Sequence, residues 1–140
     1  VAQLKKLPSF VERRRHNFVR LREALADMEE FFILPTATEH AVPSWFGFLL
    51  TCREGVERAK IVRSVEEHGI QTRMLFAGNL TKHPCFDAMR SAGKGYRIVG
   101  ELTQTDRIMN DTFWLGVYPG LTDEKIDYMV QTVKDAVRAQ

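Results

Sequence analysis

The stretch from Arg73 to Pro84 holds the densest set of side chains able to do chemistry. Gly78 lets a ligand approach the backbone closely, and Arg73, Asn79 and Lys82 supply donors suited to an oxygen-rich molecule. Read alone, the same residues also make an ordinary turn. His83-Pro84-Cys85 sets an imidazole near a thiol, but the proline splays the two side chains and no acid stands ready to orient the base. His16, His40, His68 and His83 show no paired short spacing with each other or with Cys52 and Cys85, which argues against a zinc site. Two cysteines without a CxxC pair suit a reducing cytoplasm better than a disulfide framework. Neither a GxGxxG turn nor a phosphate loop is present.

The aromatic residues Trp45, Phe46, Phe48, Phe113 and Trp114 form either a core or a pocket, since strands alternate their faces. Arg13, Arg14, Arg15, Arg20 and Arg22 crowd one predicted helix. That run reads as a solvated or subunit-facing side, or as a phosphate contact.

The elements that must position these residues follow from periodicity. Ser9-Phe10-Val11-Glu12 matches a capping box, after which Phe18, Leu21, Leu25 and Met28 form one apolar stripe. Short strands are predicted at 31–34, 44–51, 71–76 and 113–117, and a helix over 54–68 with Val56, Ala59, Val62 and either Ile61 or Val65 inward. Residues 77–100 read as mostly loop with a helical turn near 86–90. Thr103-Gln104-Thr105-Asp106 starts another short helix. Thr122 caps the last one, whose apolar face is Ile126, Met129, Val130, Val133 and Val137. The sum is an α+β domain over 1–140: a short sheet of about four strands, antiparallel or mixed, with helices on one face.

Bulk properties agree with one soluble domain. The chain has 140 residues, 44% apolar and 27% charged, with a net charge of +2. So small a charge with both signs interspersed gives no push toward nucleic acid or an anionic membrane, and no apolar run is long enough to span one. The opening Val1-Ala2-Gln3 carries no signal segment and reads as cut from a longer polypeptide.

Residues 69–80 (GIQTRMLFAGNL) resemble the small domain of the DegT/DnrJ/EryC1/StrS sugar aminotransferase and dehydrase family. Residues 13–18 (RRRHNF), 43–48 (PSWFGF) and 105–120 (TDRIMNDTFWLGVYPG) support the resemblance, which covers essentially the whole chain. The last two stretches resemble the CDP-4-keto-6-deoxyglucose 3-dehydrases of lipopolysaccharide synthesis. The resemblance implies the C-terminal small domain of the aspartate-aminotransferase fold (PLP fold type I). It also implies a reaction: pyridoxamine phosphate condenses with a CDP-4-keto-6-deoxyhexose, and the 3-hydroxyl leaves as water on the way to 3,6-dideoxyhexoses of O-antigen. A cytoplasmic homodimer, a CDP-sugar substrate, a partner reductase and, in some members, a 2Fe–2S cluster belong to the same implication.

Under that resemblance the cofactor-binding large domain, the catalytic histidine and any cluster cysteines belong upstream of Val1. This chain then holds no catalytic residue and no metal ligand, and is inactive alone. Trp45 and Phe48 wall the sugar or cofactor pocket, Arg73 pairs with the substrate, and Phe76 and Asn79 shape the loop over it. A pyridoxal-phosphate sugar aminotransferase and a free-standing, non-catalytic binding module are the alternatives. In the fragment reading, the face that meets the large domain exposes an apolar patch.

Overall fold

A computed structural model describes residues 1–140. Five α-helices, α1 (Ala2–Ala24), α2 (Arg58–Glu67), α3 (Asp87–Ala92), α4 (Thr103–Asp111) and α5 (Asp123–Arg138), alternate irregularly with four strands. The strands β1 (Phe32–Ile33), β2 (Gly47–Cys52), β3 (Thr72–Met74) and β4 (Thr112–Gly116) make one antiparallel sheet in the order β1-β2-β4-β3.

Register decides which side chains share a face. Phe48 opposes Leu115, Leu50 opposes Phe113 and Phe32 opposes Cys52, and all six are buried. They point toward α1, α2 and α5, which supply Leu21, Ile61 and Val65, and Ile126, Val130, Val133 and Val137 to the same core; Leu25, just past the end of α1, joins them. The intervening residues, Gly47 with Gly116, Leu49 with Trp114, and Thr51 with Thr112, face the other way. The Thr51 and Thr112 hydroxyls lie 2.9 Å apart and bond across the strands.

α5 forms as its sequence predicts. The Thr122 hydroxyl accepts from the Lys125 amide, Asp123 and Glu124 occupy the first turn, and every named apolar position is buried. α1 does not begin at its capping box. Ala2 to Leu7 are mostly strong helix formers, and the helix runs through Pro8. The Leu4 carbonyl that proline leaves unpaired lies on a stretch exposed from Val1 to Ser9, where water can serve it. The Ser9 hydroxyl turns back to the Lys6 carbonyl at 2.8 Å, the usual bond of a serine inside a helix.

The arginine face is also different from expectation. Arg13 bonds the Leu121 carbonyl and Asp123, Arg20 donates from Nη2 to both oxygens of Asp127, Arg14 reaches the Ser44 carbonyl, and Arg15 the carbonyls of Val42 and Pro43. These residues clamp α1 to the start of α5 and to the segment leading into β2. Arginine's several donors suit the geometry, since the heads of Arg13, Arg15 and Arg20 each reach more than one oxygen.

One further boundary and one inward assignment differ from expectation. α4 starts at Thr103 with Leu102 as its cap residue, whose apolar side chain offers no cap bond, and the Asp106 carboxylate is held by Asn79 instead. Ala59 is exposed on α2, where Ile61 and Val65 alone are buried. No helix is long and apolar enough to cross a membrane.

Candidate functional site on the open face of the sheet

The face of the sheet turned away from α1, α2 and α5 carries the aromatic residues that are not core. Trp114 lies flat over Gly47, where an added Cβ would meet the ring at 2.7 Å. Its indole N–H donates to the Met74 carbonyl at 3.2 Å. Phe46 meets the same ring edge-on, with centroids 5.4 Å apart. With Trp45, Leu49, Leu75 and Phe76 these residues line an almost wholly apolar depression of ≈ 200 Å³. Trp45 packs on Phe18 at 4.7 Å and also borders a second groove of ≈ 470 Å³ along α1.

Arg73 stands beside Trp114 in the β3–β4 register, so it shares this open face. It is exposed, and no carboxylate of the chain pairs with it. Phe76 follows three residues later in a left-handed backbone conformation, φ 45°, with its ring 78% exposed. Such a conformation is unfavourable for a large L-residue and persists only where neighbours enforce it.

The neighbours are visible. Gly78 (φ 63°) lies so close to the Met109 side chain that a Cβ there would overlap it, at 2.5 Å from Cγ. Asn79 is buried; its amide nitrogen donates to Asp106 at 2.7 Å, and its oxygen accepts from the Thr81 amide and hydroxyl. The Lys82 ammonium reaches the other Asp106 oxygen at 2.9 Å. The hydrogen bond from Asn79, then that from Lys82, hold the Asp106 carboxyl below its ordinary pKa.

The residues named from sequence therefore divide. Trp45, Arg73 and Phe76 come together around the open face. Phe48 does not: its ring is fully buried among the core residues and packs on Phe18 at 5.1 Å. Asn79 and Lys82 do not converge with Arg73 as free donors, because Asp106 takes both. Sequence reasoning passed over Leu49, Leu75 and the pair Asp106–Met109 that backs the loop. Strict alternation about the buried Phe113 and Leu115 already turns Trp114 outward.

Three of the four histidines bond groups of the chain away from this face. His16 contacts Asp123, His68 the Ser64 carbonyl, and His83 the Ala77 carbonyl. Burial pushes the Cys52 thiol up to about 11.

Comparison with known proteins places this geometry in context. Residues 1–134 match the model of the DegT/DnrJ/EryC1/StrS aminotransferase family. The lipopolysaccharide biosynthesis protein RfbH of Salmonella typhimurium is 50% identical over 96% of this chain, and dTDP-4-dehydro-2,6-dideoxy-D-glucose 3-dehydratase of Saccharopolyspora spinosa is 45% identical over 98%. The chain spans 30% and 29% of those proteins' lengths. The solved structure of Escherichia coli GDP-4-keto-6-deoxy-D-mannose-3-dehydratase with bound hydrated PLP superposes on 94% of the chain, and the chain on 33% of it, with a TM-score of 0.80 and 25% identity.

Proposed function

The chain belongs to the DegT/DnrJ/EryC1/StrS aminotransferase family, and from that premise we propose that residues 1–140 are the C-terminal small domain of a pyridoxamine-phosphate-dependent nucleotide-sugar 3-dehydrase. In this reading the full-length protein removes the 3-hydroxyl of a CDP-4-keto-6-deoxyhexose in the cytoplasm, within a homodimer, and a reductase consumes the product on the way to O-antigen sugars. The large domain of the full-length protein carries the cofactor, the catalytic base and any 2Fe–2S cluster.

The residues of this chain do not fit an anchor for the cofactor. The open-face depression is lined without a lysine, a histidine or a carboxylate, so no bond-making step is assigned here. What the face fits is one wall of a cleft. Apolar rings exclude water and contact the faces of a sugar or a cofactor ring. The Arg73 guanidinium adds two-pronged donation to hydroxyl or phosphate oxygens.

The observation that carries the reading is an unpaired arginine beside an exposed aromatic floor, on the one sheet face that the chain's core does not use. Full-length protein, supplied with pyridoxamine phosphate and the CDP-4-keto sugar, should release one water per sugar, followed by NMR of the C3 position. Residues 1–140 alone should release none. Arg73→Ala in the full-length protein should lower kcat/KM on the order of a hundredfold, the scale for losing a charged, well-oriented contact, with Tm unchanged. Transfer of an amino group from glutamate to C4, with the 3-hydroxyl retained, would replace this reading with that of a sugar aminotransferase.

A further inference from the structure

We infer that Asp106 is a positioning residue for substrate: it locks the 76–82 loop so that Phe76 is presented over the open face in one conformation. The inference rests on the reading above, in which Phe76 borders the bound sugar.

Four observations converge on it. Phe76 is a bulky residue in the left-handed region whose ring makes little contact with its own chain, being 78% exposed. Nothing about the ring's own packing rewards that conformation, so the constraint comes from the segment that follows it. Asp106 binds that segment twice, through Asn79 and Lys82, across 27 and 24 positions of sequence. Met109, one turn further along α4, fills the space at Gly78, and its sulfur accepts from the Asn79 amide at 3.2 Å. Asn79 relays the constraint as the cap of the short 3-10 turn Leu80–Lys82, its side-chain oxygen accepting from the Thr81 amide and hydroxyl.

α4 leads directly into β4, so the same element that fixes the loop also fixes Trp114 on the floor of the depression. Wall and floor are thereby held in one relative position. If the tie is released, Phe76 relaxes to an ordinary backbone conformation for most of the time. The apparent affinity then falls by the fraction of molecules still in the competent state, while turnover of those that bind is little changed.

The test is a cycle of Asp106→Asn, Phe76→Ala and the double variant in full-length protein, with hydrogen exchange of the 76–83 amides as a second readout. Asp106→Asn should raise KM for the nucleotide sugar on the order of tenfold with kcat within about twofold, the behaviour of a tenfold loss of competent population. Phe76→Ala should raise KM similarly, and the double variant should be no worse than Phe76→Ala alone, because both act through one ring. Amides of 76–83 should exchange faster in Asp106→Asn. Lys82→Met, a change at an exposed head group, should move KM in the same direction by less. Unchanged KM and exchange in Asp106→Asn, or effects that multiply in the double variant, would overturn the inference. An unmutated protein that does not turn over the sugar overturns the proposed function instead, and faster loop exchange would still be required of Asp106→Asn.

Discussion

The two faces of the sheet are made from the same strands and nearly the same residue types, yet they do different work. The inner face takes Phe48, Leu50, Phe113 and Leu115 out of water completely. The outer face leaves Phe46 54% and Phe76 78% exposed, around a tryptophan that is only partly covered. Burial on one side supplies stability in proportion to apolar area removed from water. Apolar surface left on the other side supplies none until something covers it, which is the usual mark of a contact surface. The comparison teaches that aromatic content does not distinguish core from site in this chain; the side on which the helices dock does.

Substitutions can break or sharpen that contrast. The largest effect belongs to the inner face: Phe113→Ala, which also loses the edge-on contact to Phe32 at 6.3 Å, should cost about 3–5 kcal/mol in urea unfolding. A cost below about 1 kcal/mol would mean the inner face is not the core. Gly47→Ala sits between the faces in consequence. The added Cβ meets Trp114 at 2.7 Å, so the ring must tilt, with a loss of about 1–3 kcal/mol and a shift in tryptophan fluorescence. An unshifted emission spectrum would contradict the flat stacking.

Acid should loosen the helix layer through Asp123, and the loop tie through Asp106, whose carboxyl is likewise held below its ordinary pKa. Asp123 is held below its ordinary pKa, by the Arg13 hydrogen bond first and also by His16 and Arg20. Its contribution is therefore complete above the unfolded carboxylate value of about 3.9 and is lost as pH falls through the lower folded value. The urea midpoint should decline over that acid range, and Asp123→Asn should flatten the decline. The smallest effect is expected on the outer face. Phe76→Ala should change stability by no more than about 0.5 kcal/mol, while still raising KM in the full-length protein. A stability loss as large as that of Phe113→Ala would erase the distinction between the faces.

Much of the fold is legible along the chain because it depends on local periodicity. α5 is the clearest case: a threonine cap, acids in the first turn and apolar residues at helical spacing agree with one another. The four strands fall close to their predicted places for the same reason. The site is less legible, and Phe48 shows why. It sits two residues from Phe46 in an aromatic run, and alternation says only that both point one way and Trp45 and Gly47 the other. At the bend into β2 even that fails, because Phe46 precedes the strand and its ring meets Trp114 on the open face. Asn79 and Lys82 look like free donors in sequence, and only the distant Asp106 reveals that they are satisfied.

Taken alone, the residues determined the element types, the inward stripes of α1 and α5 and the α+β class, since each arises from interactions within a few positions of chain. The tertiary structure alone decided three things: which sheet face is covered, that the α1 arginines clamp α5 and the 42–44 segment, and that the loop before α4 is tied at Asp106. Those outcomes join residues about 24 to 110 positions apart. A hydrogen bond or packing contact at that separation forms only once the intervening chain has folded, and no local pattern encodes which partner it will meet.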